Sequence, residues 1–422
     1  MTDSAGIPGG TDAAGGSSKP PRGRRRRLLR WIALGLALLV LCGAAVGWWI
    51  YRKLDGNITE DTSAAAELER YERERPTHSV GGSQNILLLG SDSRSGKENA
   101  GYGRDRGTER SDTAILLHLS ADRRSATAVS IPRDLMTQIP ACLTADGSRG
   151  AERFAQFNWA YEWGGAACTI RTVEKLTGIR IDHHMVVDFG GFKRMVDAVG
   201  GVEICLDQPM KDSEAKLKLP AGRQTLHGEQ ALGFVRARYS LGNGSDTERM
   251  ERQQQFLGSL VKKVQSTGVL LNPGRLYPLL DAATSSVTTD PGLASLRGLY
   301  ELVRGVRDIP AEQVKFLTVP RRPYAADPNR DELVQPEAAQ LFERLRADKP
   351  LTVAPPSPTA PPTAPATATT PTTAPTAAET GRAPQSPPAA DGVSPEPSKG
   401  TGTTPAPVPT FTGTTAGTAD CR

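Results

Sequence analysis

The chain has 422 residues, 51 Lys plus Arg against 46 Asp plus Glu, a formal net charge of +5, and 38% hydrophobic residues. Much of the positive excess sits in one short arginine run beside an apolar stretch, where it reads as a membrane topology signal. That placement argues against a nucleic-acid reader, which needs a basic face on a folded domain.

Residues 1–20 are mainly Gly, Ser, Thr, Asp and Ala and carry too little apolar surface to fold. Arg22, Arg24, Arg25, Arg26, Arg27 and Arg30 then precede an uncharged apolar run from Trp31 to Tyr51. At ~1.5 Å per residue the run spans about 31 Å, the thickness of a bilayer core. Trp31, Trp48, Trp49 and Tyr51 lie at its ends, where aromatic rings anchor at an interface. A cleaved signal peptide is the plainer alternative, but the run is too long for an h-region and no clear small-x-small site follows. The predicted plan is a cytoplasmic segment 1–27 and a transmembrane helix 28–51. Only Arg52 and Lys53 follow the helix, so the remaining chain is placed outside the cell membrane. There Cys142, Cys168, Cys205 and Cys421 meet an oxidising compartment. Four thiols allow three pairings, among which sequence alone does not choose; Cys142 with Cys168 is the favoured one, because both flank one loop–helix segment. No CxxC or Cys/His spacing points to zinc.

Residues 52–80 are charged, with Glu67, Glu69, Arg70, Glu72, Arg73, Glu74 and Arg75 ahead of Pro76, and read as a solvated linker. From 351 to 422 the chain is Pro, Thr, Ala, Ser and Gly with one aromatic, Phe411, and reads as a disordered tail suited to a spacer in a cell wall. Between them, 81–350 reads as one globular domain. "NILLLG" (85–90), "TAILLHLS" (113–120) and "SATAVSI" (125–131) are strands. Helices are expected at about 151–176 and 189–199, then strands "GGVEICL" and "ALGFVRARY", and a helix from 246 to about 265. Helices alternating with strands imply an α/β layered sandwich over a mixed sheet.

If the first three strands form an up–down–up meander, Asp92, Arg110, Asp112 and Arg133 gather at one end of the sheet. Two carboxylates there are hard-cation ligands in kind, and guanidinium groups match phosphate in a bidentate way. Ordinary solvated strand-end residues explain the same four positions equally well. Further along, Arg236 and Arg238 would share one face of the "ALGFVRARY" strand. In the helix that follows, Asp246, Arg249 and Gln253 fall on the side of Met250, Phe256, Leu257, Leu260, Val261 and Val264, opposite Glu248, Glu251, Arg252, Gln255, Lys262 and Lys263. Charges on an inward stripe are costly unless paired or liganded. A site and an internal ion-pair network both satisfy that requirement. His118, His183 and His184 show no ligand spacing.

In order, the segments "NILLLGSDSR", "RSDTAILLHLS", "SIPRDLM", "FNWAYEWGG", "VDFGGFKRMVDAVGGVEI", "LHGEQALGFVRARY" and "DTERMERQQQFL" resemble the LytR-CpsA-Psr family of cell-envelope glycopolymer transferases, over roughly Asn85 to Val264. The resemblance implies an α/β/α sandwich over a central mixed sheet, and a magnesium-dependent (or manganese-dependent) phosphotransferase. It would move an anionic glycopolymer from a membrane-held polyprenyl pyrophosphate to peptidoglycan, with pyrophosphatase action as a side activity. It implies Asp92 and Asp112 as metal ligands, and Arg110, Arg133, Arg236, Arg238, Arg249 and Gln253 around the pyrophosphate. Asp92, Arg133, Arg236, Arg238 and Asp246 form the implied catalytic set, with Asp246 or a non-ligating Asp92 as the base. The family often has lysine where this chain has Gln156, so a substitute cation is expected, with Arg153 as the candidate. A non-catalytic envelope glycan-binding protein is the alternative; a membrane-bound transcriptional regulator lacks a DNA-reading motif.

Overall fold

The computed structural model describes residues 22–92, 110–144, 146–237, 246–266, 273–355 and 408–418. Helix α1 (Arg22–Asn57) carries the apolar run and is followed by β1 (Thr59–Glu60) and α2 (Thr62–Arg70). The strands β2 (Gln84–Ser91), β3 (Ser111–Leu119) and β4 (Ala126–Ile131) lead into a hairpin of β5 (Met136–Ile139) and β6 (Arg153–Gln156). Then come α3 (Trp159–Thr177), β7 (His183–Val187) and α4 (Phe189–Ala198). Two small ribbons follow, from β8 (Val202–Leu206), β9 (Met210–Asp212), β10 (Leu217–Leu219) and β11 (Gly222–Leu226). After them lie α5 (Gly228–Arg236), α6 (Asp246–Ser266), α7 (Pro273–Thr284), β12 (Val287–Thr289) and α8 (Leu296–Arg307). The last elements are β13 (Val314–Thr318), the hairpin β14 (Arg321–Tyr324) and β15 (Asp327–Leu333), α9 (Glu337–Arg346), β16 (Thr352–Ala354) and β17 (Thr410–Thr415).

Nine strands form one mixed sheet in the order β1-β12-β7-β2-β3-β4-β13-β17-β16. β2, β3 and β4 are consecutive antiparallel neighbours, as a meander requires, while β7 joins β2 and β13 joins β4 in parallel. Period-two alternation sends Leu87, Leu89, Leu116, Val129 and Leu317 to one face, against Ile170 and Val173 of α3 and Leu341, Phe342 and Leu345 of α9. Ile86, Ile115, Ala128, Val314 and Phe316 take the other face, with Leu257 and Val261 of α6 and Leu302 and Val306 of α8. The result is the expected α/β/α sandwich. A third core joins α4, α5 and the first half of α6 to the small ribbons through Val196, Ile204, Leu217, Phe234 and Phe256.

Four expectations need correction. The charged segment 52–80 belongs to the domain: β1 pairs with β12, Ala64 and Leu68 of α2 enter the main core, and Arg75 Nη2 lies 2.7 Å from the buried Glu174 carboxylate. The helix expected from 151 begins only at Trp159, because residues 153–156 pair with β5. "ALGFVRARY" is helical through Arg236. A short apolar run does not declare its own period, and here Ala231, Leu232 and Phe234 are buried from a helix that starts at Gly228. Finally, the tail beyond 351 supplies β16 and β17, and β17 is an interior strand between β13 and β16. Only glycine fits at Gly413, where a Cβ would come within 2.3 Å of the Phe316 carbonyl oxygen.

Cys142 and Cys168 form a disulfide with a Cα–Cα distance of 5.6 Å. Cys205 is disulfide-bonded as well, and Cys42 is a free thiol on α1. Cys421 lies outside the described residues.

Candidate active site

The meander sets the frame. The Asp92 backbone N–H donates to the Arg110 carbonyl at 2.9 Å, and the Asp92 carboxylate accepts from the Arg110 backbone N–H at 2.6 Å. This two-way bond closes the ends of β2 and β3 onto each other. One residue into β3, Asp112 Oδ1 accepts from Arg133 Nη1 at 2.9 Å, just past the end of β4. Antiparallel pairing therefore brings Asp92, Arg110, Asp112 and Arg133 to one sheet end.

Each guanidinium there is oriented by a neighbouring carboxylate besides the contacts just described. Arg133 Nε donates to Asp134 Oδ2 at 3.2 Å, and Arg110 Nε donates to Glu162 Oε2 at 2.8 Å from the first turn of α3. The hydrogen bond to Glu162 and the charge of that carboxylate outweigh burial and hold the Arg110 pKa above the ordinary arginine value. The Arg133 and Asp112 side chains are 19% and 32% exposed, so their ion pair contributes only about 1 kcal/mol or less to stability. What it supplies is fixed geometry for a planar fork, the property that phosphate recognition needs.

Asp134 is a node that carried no assigned role in the sequence. Gln156 Nε2 donates to its Oδ1 at 2.7 Å, and Arg330 of β15 brings Nη1 to 3.5 Å from the same oxygen. Arg153 points elsewhere, its guanidinium 5.1 Å from the centre of the Trp163 ring. The cation beside Gln156 is thus Arg330, not the expected Arg153. No periodic signal links Arg330 to the site, because it arrives on a hairpin after α8. Glu162 also went unread; its position inside "FNWAYEWGG" was the available clue.

From α6, Gln253 Nε2 reaches Thr113 Oγ1 at 3.2 Å and the Val235 carbonyl at 3.3 Å, next to Asp112 in sequence. Arg249, one turn earlier, is buried at 5% exposure. The predicted solvent side of this helix is only partly right. Arg252 is buried and donates to the Ala237 carbonyl, and Gln255 is half-buried, bonding the Cys205 carbonyl at 3.2 Å. Gln254, on neither predicted stripe, is buried between Ser130 and Thr318. α6 is wedged between two cores, so a single amphipathic phase does not describe it.

Arg236 does not sit on a strand. It ends α5 with its guanidinium 4.5 Å from the centre of the Phe189 ring, and Phe189 follows the end of β7 beside Gly90. It therefore stands at the same sheet end. Arg238 and the Asp246 side chain lie outside the described residues.

Below this polar rim, Leu88, Leu117 and Met185 are only half-buried although they sit on interior strands. Leu257 and Val261 of α6 and Leu302 and Val306 of α8 are likewise half-buried around them. Among the described residues, the sheet face between α6 and α8 is thus incompletely covered, and these side chains line an apolar trough. Leu88 lies four residues from Asp92, about 13 Å along a strand.

The fold finds a match among known proteins. The model of the LytR_cpsA_psr family fits residues 55–347, and the chain belongs to that family. It is 40% identical over 214 residues to the probable cell wall biosynthesis protein LcpB of Corynebacterium glutamicum, covering 49% of this chain and 48% of that one. Identity is 33% over 321 residues with the cell wall biosynthesis protein LcpA of the same organism, covering 69% and 60%. The chain thus spans less than two thirds of either corynebacterial relative's length. With the polyisoprenyl-teichoic acid–peptidoglycan teichoic acid transferase TagU of Bacillus cereus it is 32% identical over 281 residues, covering 66% and 84%. Among solved structures, the LytR-Csp2A-Psr enzyme from Actinomyces oris shares the fold, with a TM-score of 0.50 at 24% identity, covering 64% of this chain and 93% of that one.

Proposed function

We propose that the protein transfers an anionic glycopolymer, as its glycan phosphate, from a polyprenyl-pyrophosphate carrier to a peptidoglycan hydroxyl outside the membrane. The observation that carries this reading is the arginine–carboxylate rim standing directly above an apolar trough. A prenyl chain suits the trough and a pyrophosphate suits the rim. The family's transferases, TagU among them, give the reaction class. The disulfides and the N-terminal apolar helix support a membrane-anchored domain facing an oxidising space.

In the proposed reaction the acceptor oxygen bonds to the glycan-side phosphorus, the bridging P–O bond breaks, and polyprenyl phosphate leaves. The acceptor's proton passes to a carboxylate, Asp246, or Asp92 where it does not ligate the metal. Arg110 and Arg133, held by Glu162, Asp112 and Asp134, would meet the charge that builds on the phosphoryl and leaving oxygens. Arg236, Arg238, Arg249 and Gln253 complete the proposed pyrophosphate contacts. Asp92 and Asp112 are the residues that would hold magnesium or manganese. Among the described residues no group of three metal-ligating side chains occurs. A pair of carboxylates fits a magnesium ion that draws its other ligands from phosphate and water. Such an ion would supply charge neutralisation at the phosphate.

The test uses the full chain in detergent with a polyprenyl-pyrophosphate oligosaccharide and peptidoglycan. Turnover is expected with magnesium, to be lost on chelation, and to fall at least ~100-fold in Arg133→Ala. Undiminished turnover in that variant would sink the proposed site. Tight lipid binding without turnover in the wild type would favour a glycan-binding envelope protein.

A further inference from the structure

The exit of α1 from its apolar run is fixed to the domain. Lys53 Nζ lies 2.8 Å from the Tyr277 hydroxyl and 3.3 Å from Asp281 of α7, and Leu54 is buried at 2% exposure. Asn57 Nδ2 donates to Asp281 Oδ1 at 3.1 Å. Between them, Asp55 Oδ1 accepts the backbone N–H of Leu296 at 2.9 Å, the first residue of α8. Asp55 is four residues beyond Tyr51, about 6 Å along a helix axis. The headgroup layer on each side of a bilayer is itself roughly 5–7 Å deep. The start of α8 is therefore held at headgroup depth if α1 spans the membrane.

The sequence of α8, "LRGLYELVRGVR", fits that location. At about 100° per residue, Leu296, Leu299, Tyr300, Leu302, Val303 and Val306 share one apolar arc. One edge of the arc, Leu302 and Val306, packs on the sheet. The other edge is left open, with Tyr300 59% and Val303 52% exposed. A single exposed apolar residue is ordinary. Here, outside α1, the exposed large hydrophobics among the described residues are Phe154, Trp159, Tyr300, Val303 and Val408, and two of them share one turn of this helix. The helix carries Arg297, Arg304 and Arg307 against one acid, Glu301, which pairs with Arg297 at 3.0 Å. In helical phase Arg304 borders the open apolar edge, and Arg307, in the last turn, falls within it between Val303 and Tyr300. A basic helix with an open apolar edge is the pattern of a segment lying in an anionic interface.

We propose that α8 lies in the headgroup layer of the membrane that α1 crosses, with the Tyr300–Val303 edge against lipid. This rests on the reading of α1 as a membrane anchor. It places one wall of the apolar trough, Leu302 and Val306, beside the bilayer, so that a lipid chain enters the trough without passing through water.

The test is site-directed spin labelling of the full chain in a Cys42→Ser background, in nanodiscs containing phosphatidylcholine and phosphatidylglycerol. Labels go on Val303→Cys and Tyr300→Cys, with Val40→Cys on α1 as the lipid reference and the exposed Gln340→Cys on α9 as the aqueous one. Labels at 300 and 303 are expected to show a several-fold higher ratio of oxygen to nickel-chelate collisions than the label at 340. If 303 is as open to the nickel chelate as 340 while 40 is lipid-shielded, the proposal falls and the anchor stands. If 40 is also aqueous, the anchor reading fails and this one fails with it.

Discussion

Asp134 receives Arg133, Gln156 and Arg330 at once, so the three donors are coupled through one carboxylate. Arg330→Ala is expected to lower turnover about tenfold, and a lysine introduced by Gln156→Lys to restore it. A double-mutant cycle in the transfer assay checks this, since independent sites would give additive losses. Away from the site, His183 Nδ1 lies 3.0 Å from Asp290 and ties β7 to the segment after β12. Burial alone would lower the His183 pKa, but the hydrogen bond to Asp290 and its charge raise it above the ordinary histidine value. A raised folded pKa contributes stability that is complete below the unfolded value, ~6.5, and fades as pH rises through the folded one. His183→Asn should therefore lower the melting temperature more near pH ~5.5 than near pH ~9. An equal loss at both would show that Asp290 does not favour the charged imidazole. Asp61 carries the opposite sign. Burial raises its pKa, but bonds from His184, Ala64 and Ser63 bring it down to about 2, so its contribution is lost only as pH falls below the usual carboxylate range.

At the level of elements, α3 links the oxidised cysteines to the site. Gly164 interrupts its first turns, and a Cβ there would lie 2.8 Å from the Cys168 Cβ and from the Leu143 carbonyl oxygen. The disulfide closes a sequence separation of 26, which chain-entropy arguments value at about 3.5 kcal/mol. Cys142→Ala with Cys168→Ala is expected to destabilise by roughly that amount, read by denaturant unfolding. It should also reduce turnover, because Glu162 rides on the same turns and orients Arg110. Much of this site was legible in element order alone. A meander with odd and even strand ends must bring Asp92, Arg110, Asp112 and Arg133 together. The phase of α6 correctly turned Arg249 and Gln253 inward. It failed for Arg252 because that residue faces a second core built from β8 to β11, which no local period announces.

Over the whole molecule, the chain's last described segment extends the sheet past β13. Phe411 enters the core on one sheet face and Ala416 on the other, while Lys262 of α6 reaches the Gly417 carbonyl at 3.3 Å. Removal of residues 408–422 is expected to cost at least ~3 kcal/mol, the value of one buried Phe, and to leave β13 with an open edge. Denaturant unfolding of the shortened chain beside the full one, followed by tryptophan fluorescence, checks this; an unchanged midpoint would make β17 an ornament on the sheet.

The sequence by itself determined the N-terminal apolar helix, the layered α/β class and the convergence of charges at one end of the meander. Each follows from a local period, a composition or the order of neighbouring strands. Tertiary structure alone decided that "ALGFVRARY" is helical through Arg236, that Arg330 is the cation beside Gln156, and that the segment around Phe411 is a sheet strand. Those outcomes depend on which distant surfaces need covering. The free energy of burying a short apolar run against a partner far away in the chain outweighs the weak preference that the run carries alone.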